Sequence, residues 1–202
     1  MRKFVALAIC GLVLSSCSGE PVRDTSDKDG KYGTFSSPKD AKDTYSPQEI
    51  SKAANEYFGG ASEGLAKAIE RALKDFGEPN AYITGEEGGG AVVVGVRYGK
   101  GVLSFKGGEN QTVYWQSPSV GWDFGGNASK VFTLVYNLRN TSDLFQRFPA
   151  VDGSLYLLAG VGMNYQRSGD ITLAPIRTGV GLRAGASVGY VHYTRNGSAI
   201  PF

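Results

Sequence analysis

The segment Trp115-Gln116-Ser117-Pro118-Ser119-Val120-Gly121-Trp122-Asp123-Phe124-Gly125-Gly126 concentrates the residue types best suited to hold a ligand. Both tryptophans of the chain fall in it, and Asp123 stands between two aromatics. Two readings fit these residues. The proline and glycines can mark a strand–turn–strand corner whose indoles fill the core. Alternatively, the segment is the lip of a pocket, where the faces of Trp115 and Trp122 pack a ligand and Asp123 fixes a polar group. Arg97 and Arg177 are then candidate partners for an anionic headgroup.

Catalytic chemistry lacks parts. His192 is the single histidine, so zinc sites and Cys–His pairs cannot be assembled from the usual ligands. The Gly-x-Ser-x-Gly motif of a nucleophile elbow is absent. Two carboxylates could support glycoside hydrolysis, but sequence alone does not pair them. Gly179-Val180-Gly181-Leu182-Arg183-Ala184 has the letters of a dinucleotide fingerprint, yet a strand pattern follows it where a helix is required. Gly85-Glu86-Glu87-Gly88-Gly89-Gly90 reads as a turn between strands, because two carboxylates would repel a phosphate. Glu86 and Glu87 supply only two of the several oxygens a divalent cation wants. No catalytic residue, cofactor or metal site is expected.

Cys17 carries a different chemistry. Met1-Arg2-Lys3 is a short basic stretch, and Phe4 to Leu14 is apolar and too short to span a bilayer. It runs into Leu14-Ser15-Ser16-Cys17, which resembles a bacterial lipobox. Small residues before the cut admit a peptidase, and the cysteine thiol becomes the attachment point for diacylglycerol. Several acyl chains give durable anchoring where one does not. Ser18, in place of the aspartate that favours inner-membrane retention, points to the outer membrane. The expected divisions are a signal peptide over 1–16, an acylated cysteine and flexible tether over 17–44, and one folded domain over 45–202.

Cleavage would also settle the charge. The formal +2 of the chain comes from Arg2 and Lys3, whose removal leaves 19 basic against 19 acidic residues. A neutral chain offers no basic patch for nucleic acid. Cys10 would leave with the leader and Cys17 would be acylated, so packing alone must hold the core.

The elements that would position these residues are legible. Ser18 to Thr44 is too polar to bury enough surface to offset its ordering entropy. Ser46-Pro47-Gln48-Glu49 is a capping box with proline at the first helical position. The helix that follows carries Ile50, Ala53, Ala54, Tyr57 and Phe58 on one stripe until Gly59-Gly60 interrupts it. Leu65, Ile69, Leu73 and Phe76 write a second helix ended by Gly77 and Pro79. From Ala81 the period becomes two. Strands are expected at Val92 to Tyr98, Val102 to Phe105, Thr112 to Gln116, Val131 to Leu138, Ser154 to Gln166, Ile171 to Ile176 and Val180 to Thr194. Gly99-Lys100-Gly101 reads as a hairpin loop and Asp143 to Arg147 as a short helix capped by Ser142.

The 29 glycines are about double the usual share. Gly181, Gly185 and Gly189 share one strand face, and Gly160 with Gly162 repeats the pattern. Faces stripped of side chains let a sheet curl tightly. The expected fold is mainly β: a small antiparallel glycine-rich barrel of roughly seven to ten strands, with one or two N-terminal helices packed on it and closing it in part.

With these residues in view, the chain from about Tyr45 to Phe202 resembles the EipA-type envelope-integrity proteins, an alphaproteobacterial periplasmic family. The likeness rests on Tyr57-Phe58-Gly59-Gly60, Pro79-Asn80-Ala81-Tyr82-Ile83, Tyr98-Gly99-Lys100-Gly101, the Trp115 to Gly126 segment, Leu134-Val135-Tyr136-Asn137-Leu138, and Pro175-Ile176-Arg177 through Tyr190. It implies a small β-barrel with helical decoration and a role in keeping the envelope intact, with no catalytic residues to carry over. The lipobox departs from a family of chiefly soluble periplasmic proteins. A fainter likeness to SYLF (Ysc84-like) lipid-binding domains lies in Gly88-Gly89-Gly90, Tyr98-Gly99-Lys100-Gly101-Val102 and Trp115-Gln116-Ser117-Pro118.

Two function classes remain open at this point. One is a non-enzymatic structural or interaction protein of the envelope, lipid-anchored in the periplasm to the outer membrane. The other is a binding module for a lipid or another amphipathic envelope component. A transmembrane barrel gains from the aromatic Phe202 but loses from Pro201 beside it.

Overall fold

The structure is a computed structural model that describes residues 44–123, 129–178 and 189–197, with the backbone alone for 90–95 and 119–123. The leader, Cys17 and the tether as far as residue 43 therefore lie outside the described residues, as do Gly179 to Val188, while Thr44 is buried and donates to Glu78 at 2.8 Å.

Helix α1, Pro47–Phe58, starts as its capping box dictates. The Ser46 hydroxyl accepts from the Glu49 N–H, and the Glu49 carboxylate accepts from the Ser46 N–H at 2.8 Å. Gly59 ends it in the left-handed region, at φ 85°. Helix α2, Glu63–Phe76, buries Leu65, Ala68, Ile69 and Ala72 on one stripe, and Gly77 caps it at φ 77°. Among the described residues no helix is long and apolar enough to cross a membrane.

Among the described residues nine strands follow in one antiparallel sheet: β1 Ala81–Phe105, β2 Gln111–Asp123, β3 Ser129–Tyr136, β4 Arg147–Pro149, β5 Tyr156–Leu158, β6 Val161–Met163, β7 Gln166–Ser168, β8 Ile171–Thr178 and β9 Tyr190–Thr194. The mainly β architecture with two N-terminal helices agrees with the sequence pattern. The sheet order β4-β9-β2-β1-β3-β8 closes on itself. β7 pairs with β8, and Ala150, just past β4, bridges Gln166 of β7. The Val151 N–H donates to the Tyr165 carbonyl beside that bridge at 2.9 Å. A hydrogen-bonded seam thus completes the ring, while α1 lies against β3 and α2 against β5, β6 and β8 on its outer surface. The second helix covers the wall rather than closing the barrel, because its apolar stripe is matched to the outward residues of the sheet. Phe76 meets Tyr136 and Tyr165, with ring centroids 5.4 and 4.6 Å apart.

β1 is the organising strand. Its first part, Ala81 to Glu87, pairs with β3, and its second part, Ala91 to Leu103, pairs with β2. A methyl on Gly85 would lie 2.7 Å from the Gly101 Cα, and one on Gly89 would lie 2.9 Å from the Arg97 Cα. Both approaches are symmetric about Val93, and in both the side-chain direction points at opposing backbone. The strand therefore folds over its glycine-rich middle and lays its halves face to face, at a separation only glycine permits.

Several expectations are corrected here. Gly85 to Gly90 and Gly99-Lys100-Gly101 are interior to β1 and not turns. Their glycines serve close approach, and the chain reverses instead at the Lys106 to Asn110 segment before β2. Ser154 to Gln166 is broken into β5, β6 and the start of β7, because Ala159 and Gly160 turn at φ 45° and 84°; Gly160 and Gly162 consequently do not share a strand. The short helix is a 3₁₀ turn over Thr141–Leu144, with Asn140 and Asp143 forming its capping box in place of Ser142.

Inside the ring, Ala81, Ile83, Leu103, Val113, Trp115, Val131, Val135, Phe148, Leu173, Val191 and Tyr193 form one packed core. These positions alternate with outward ones along every strand.

Candidate functional site

Glu87 continues the inward series of Ala81, Ile83 and Gly85 along β1, which carries its carboxylate into the barrel at 2 % exposure. Arg97 returns to the same place from the other half of β1, and Arg177 arrives from β8 as the inward successor of Ile171, Leu173 and Pro175. Glu87 Oε1 accepts from Arg177 Nε at 2.6 Å and from Arg97 Nη1 at 3.3 Å. Its other oxygen, Oε2, accepts from the Trp115 indole N–H at 3.2 Å. Arg177 Nη1 also donates to Asn164 Oδ1 at 3.0 Å. Gly162 stands opposite Arg177 in the ladder.

Burial alone would raise the Glu87 carboxyl. The Arg177 and Arg97 guanidiniums, with the hydrogen bonds from Arg177 and Trp115, outweigh it and hold the carboxyl below its ordinary range. Tyr193, 5.7 Å from Trp115 between ring centroids, has its phenol pushed up, chiefly by burial. The group is a static ion-pair network: a carboxylate kept ionised with donors on both oxygens, beside a phenol that stays protonated. Neither is poised to exchange protons near neutrality.

Of the residues singled out in the sequence, three meet here. Trp115 is a core residue at 4 % exposure, and its indole lies in the space opened by Gly99 and Gly85. Arg97 and Arg177 both converge on Glu87. Trp122 and Asp123 stand at the end of β2, opposite Val92 and Ala91, and their side chains lie outside the described residues. Glu86 and Glu87 do not converge, since successive strand residues face opposite ways: Glu86 is exposed and Glu87 buried. Among the described residues no group of three potential metal ligands assembles. His192 sits on the outward face of β9 with its pKa lowered, first by burial and then by Arg147.

Glu87, Asn164 and Tyr193 were missed as members of this group. Period-two counting from Ala81 and Ile83 would have placed Glu87 inside.

The architecture also has relatives. The family model for envelope integrity protein A, EipA, matches residues 43–202. The chain belongs to the EipA family. A crystal structure of a Brucella abortus protein, described as beta-barrel-like and uncharacterized, is 44% identical over 79% of this chain and 99% of that one, with a TM-score of 0.73. No curated protein matches. The EipA resemblance and the barrel expectation both stand, whereas the SYLF likeness is not shown. The EipA assignment supports a role in envelope integrity and a location in the cell envelope.

Proposed function

We propose that this EipA-family chain is a non-enzymatic envelope lipoprotein, anchored through Cys17, whose barrel acts as a structural and interaction module. The observation that carries the reading is the Glu87 network. The inward Trp115, Arg97 and Arg177 each donate to Glu87, so this part of the interior is occupied by the protein's own side chains. A barrel filled in this way works through its outer surface. The capping and packing of α1 and α2 serve the same end, since they give the wall fixed outer features.

The test has two arms. Cells expressing the chain with radiolabelled palmitate should yield a labelled protein, and Cys17→Ser should remove the label. In the source bacterium, deletion should sensitise cells to detergent, and the intact chain should restore resistance. Labelling that survives Cys17→Ser removes the anchor from the proposal, and a deletion strain as resistant as its parent removes the integrity role. Native mass spectrometry of the purified chain separates the remaining alternative, a lipid-binding module. A stoichiometric lipid adduct would favour that module over a filled barrel.

A further inference from the structure

The wall formed by β4, β9, β2 and the second half of β1 has an outer surface whose composition differs from the rest of the molecule. The ladder aligns Arg147, His192, Gln116 and Tyr98 in one row across four strands. A second row aligns Thr194, Tyr114 and Lys100, and Pro149 stands opposite Tyr190. These positions alternate with the inward Phe148, Val191, Tyr193, Trp115 and Val113, so they point outward together. The described outward residues of this wall include no aspartate or glutamate. Lys100 lies over the Tyr114 ring at 5.6 Å and Arg147 over the Tyr190 ring at 5.2 Å. Among the described residues neither cation is paired with a carboxylate.

We infer that this wall is a docking surface for an anionic glycan of the cell envelope, an inference that rests on the envelope reading above. Charge complementarity selects an anion, because the described outward residues of this wall include the cations Lys100 and Arg147 and no carboxylate. Phenol rings offer flat apolar faces with a polar edge, suited to sugar rings, and Tyr98 is 37 % exposed on this face. Among the described residues the outward aliphatics of this wall are the small Val96 and Val102, with no Leu, Ile or Phe to insert, which favours a glycan over a bilayer. Four strands span on the order of 15 Å, enough to align several sugars along the rows.

The experiment is calorimetric titration of the full-length chain in mild detergent with a galacturonic-acid oligomer, and with a neutral dextran oligomer as comparator. The charged oligomer should bind at least about tenfold more tightly than dextran, and about 0.5 M salt should weaken it. Lys100→Gln with Arg147→Gln should weaken it by about tenfold or more, and Tyr114→Ala should weaken both oligomers, with the thermal midpoint unchanged. Equal affinity for both oligomers, or no loss in the double variant, overturns the inference. Capture of phosphatidylglycerol vesicles by the same wall, with no galacturonate binding, also overturns it and assigns the face to lipid. The detergent sensitivity of the deletion strain is independent of these titrations, so the envelope role and the glycan docking fail separately.

Discussion

Arg177 and Glu87, 90 residues apart in the chain, meet at 2.6 Å inside the barrel, where the side chains are 9 % and 1 % exposed. The pair joins the first half of β1 to β8 although β3 lies between them in the sheet. Arg97 joins the second half of β1 to the same oxygen. One carboxylate thus ties together three separate parts of the wall.

Removing that carboxylate leaves two buried guanidiniums facing each other. Glu87→Ala should cost about 3–5 kcal/mol, the range for breaking a buried ion pair from one side. Glu87→Gln keeps the shape but loses the charge and should also destabilise. Urea unfolding followed by circular dichroism measures both, and an Ala variant within about 0.5 kcal/mol of the parent would refute the network's role.

The same group sets an acid limit. Its folded-state pKa lies below the ordinary value of 4.5, so the unfolded chain takes up its proton first as the pH falls. The stability it contributes is complete above about pH 4.5 and is lost progressively as the pH drops through the depressed folded value. Thermal midpoints should fall below pH 4.5 in the parent, and the decline should be shallower in Glu87→Gln.

Gly99 gives a steric test. A methyl there would fall inside the Trp115 indole, at Cε2, Cζ2 and Nε1, and that ring is held by its bond to Glu87. Gly99→Ala should cost about 3 kcal/mol or more, at the upper end for overpacking. Gly88→Ala, with no atom within 4 Å of the new methyl, should stay within about 0.5 kcal/mol. Similar midpoints for the two variants would contradict the close approach.

Tyr136 should show the reverse sign. Its hydroxyl is buried under α2, has no hydrogen-bond partner, and has its pKa raised by burial and by Asp75. Tyr136→Phe removes an unsatisfied polar group while keeping the ring against Phe76, and should stabilise by about 1 kcal/mol. Destabilisation on denaturant titration would mean that the hydroxyl is satisfied in solution.

The sequence by itself determined the local elements. The Ser46 to Glu49 box, the Leu65 to Phe76 stripe and the glycine stops each act within one or two turns, so their physics is contained in a short window. Alternation likewise gave β3 and β8, and the glycine excess announced a curled sheet. The purpose of individual glycines was not legible. Gly99 and Gly101 look like a hairpin loop in one dimension, and their real constraint comes from Trp115 and Thr84, which only the folded β1 brings near. The same holds for Glu87. Its neighbours suggest a turn, but its state depends on Arg97, Trp115 and Arg177, which converge only when β1 doubles over and the seam at Ala150 closes the ring. Burial and pairing are properties of that three-dimensional closure, so a carboxylate that reads as solvent-facing in the sequence becomes the best-compensated charge in the core.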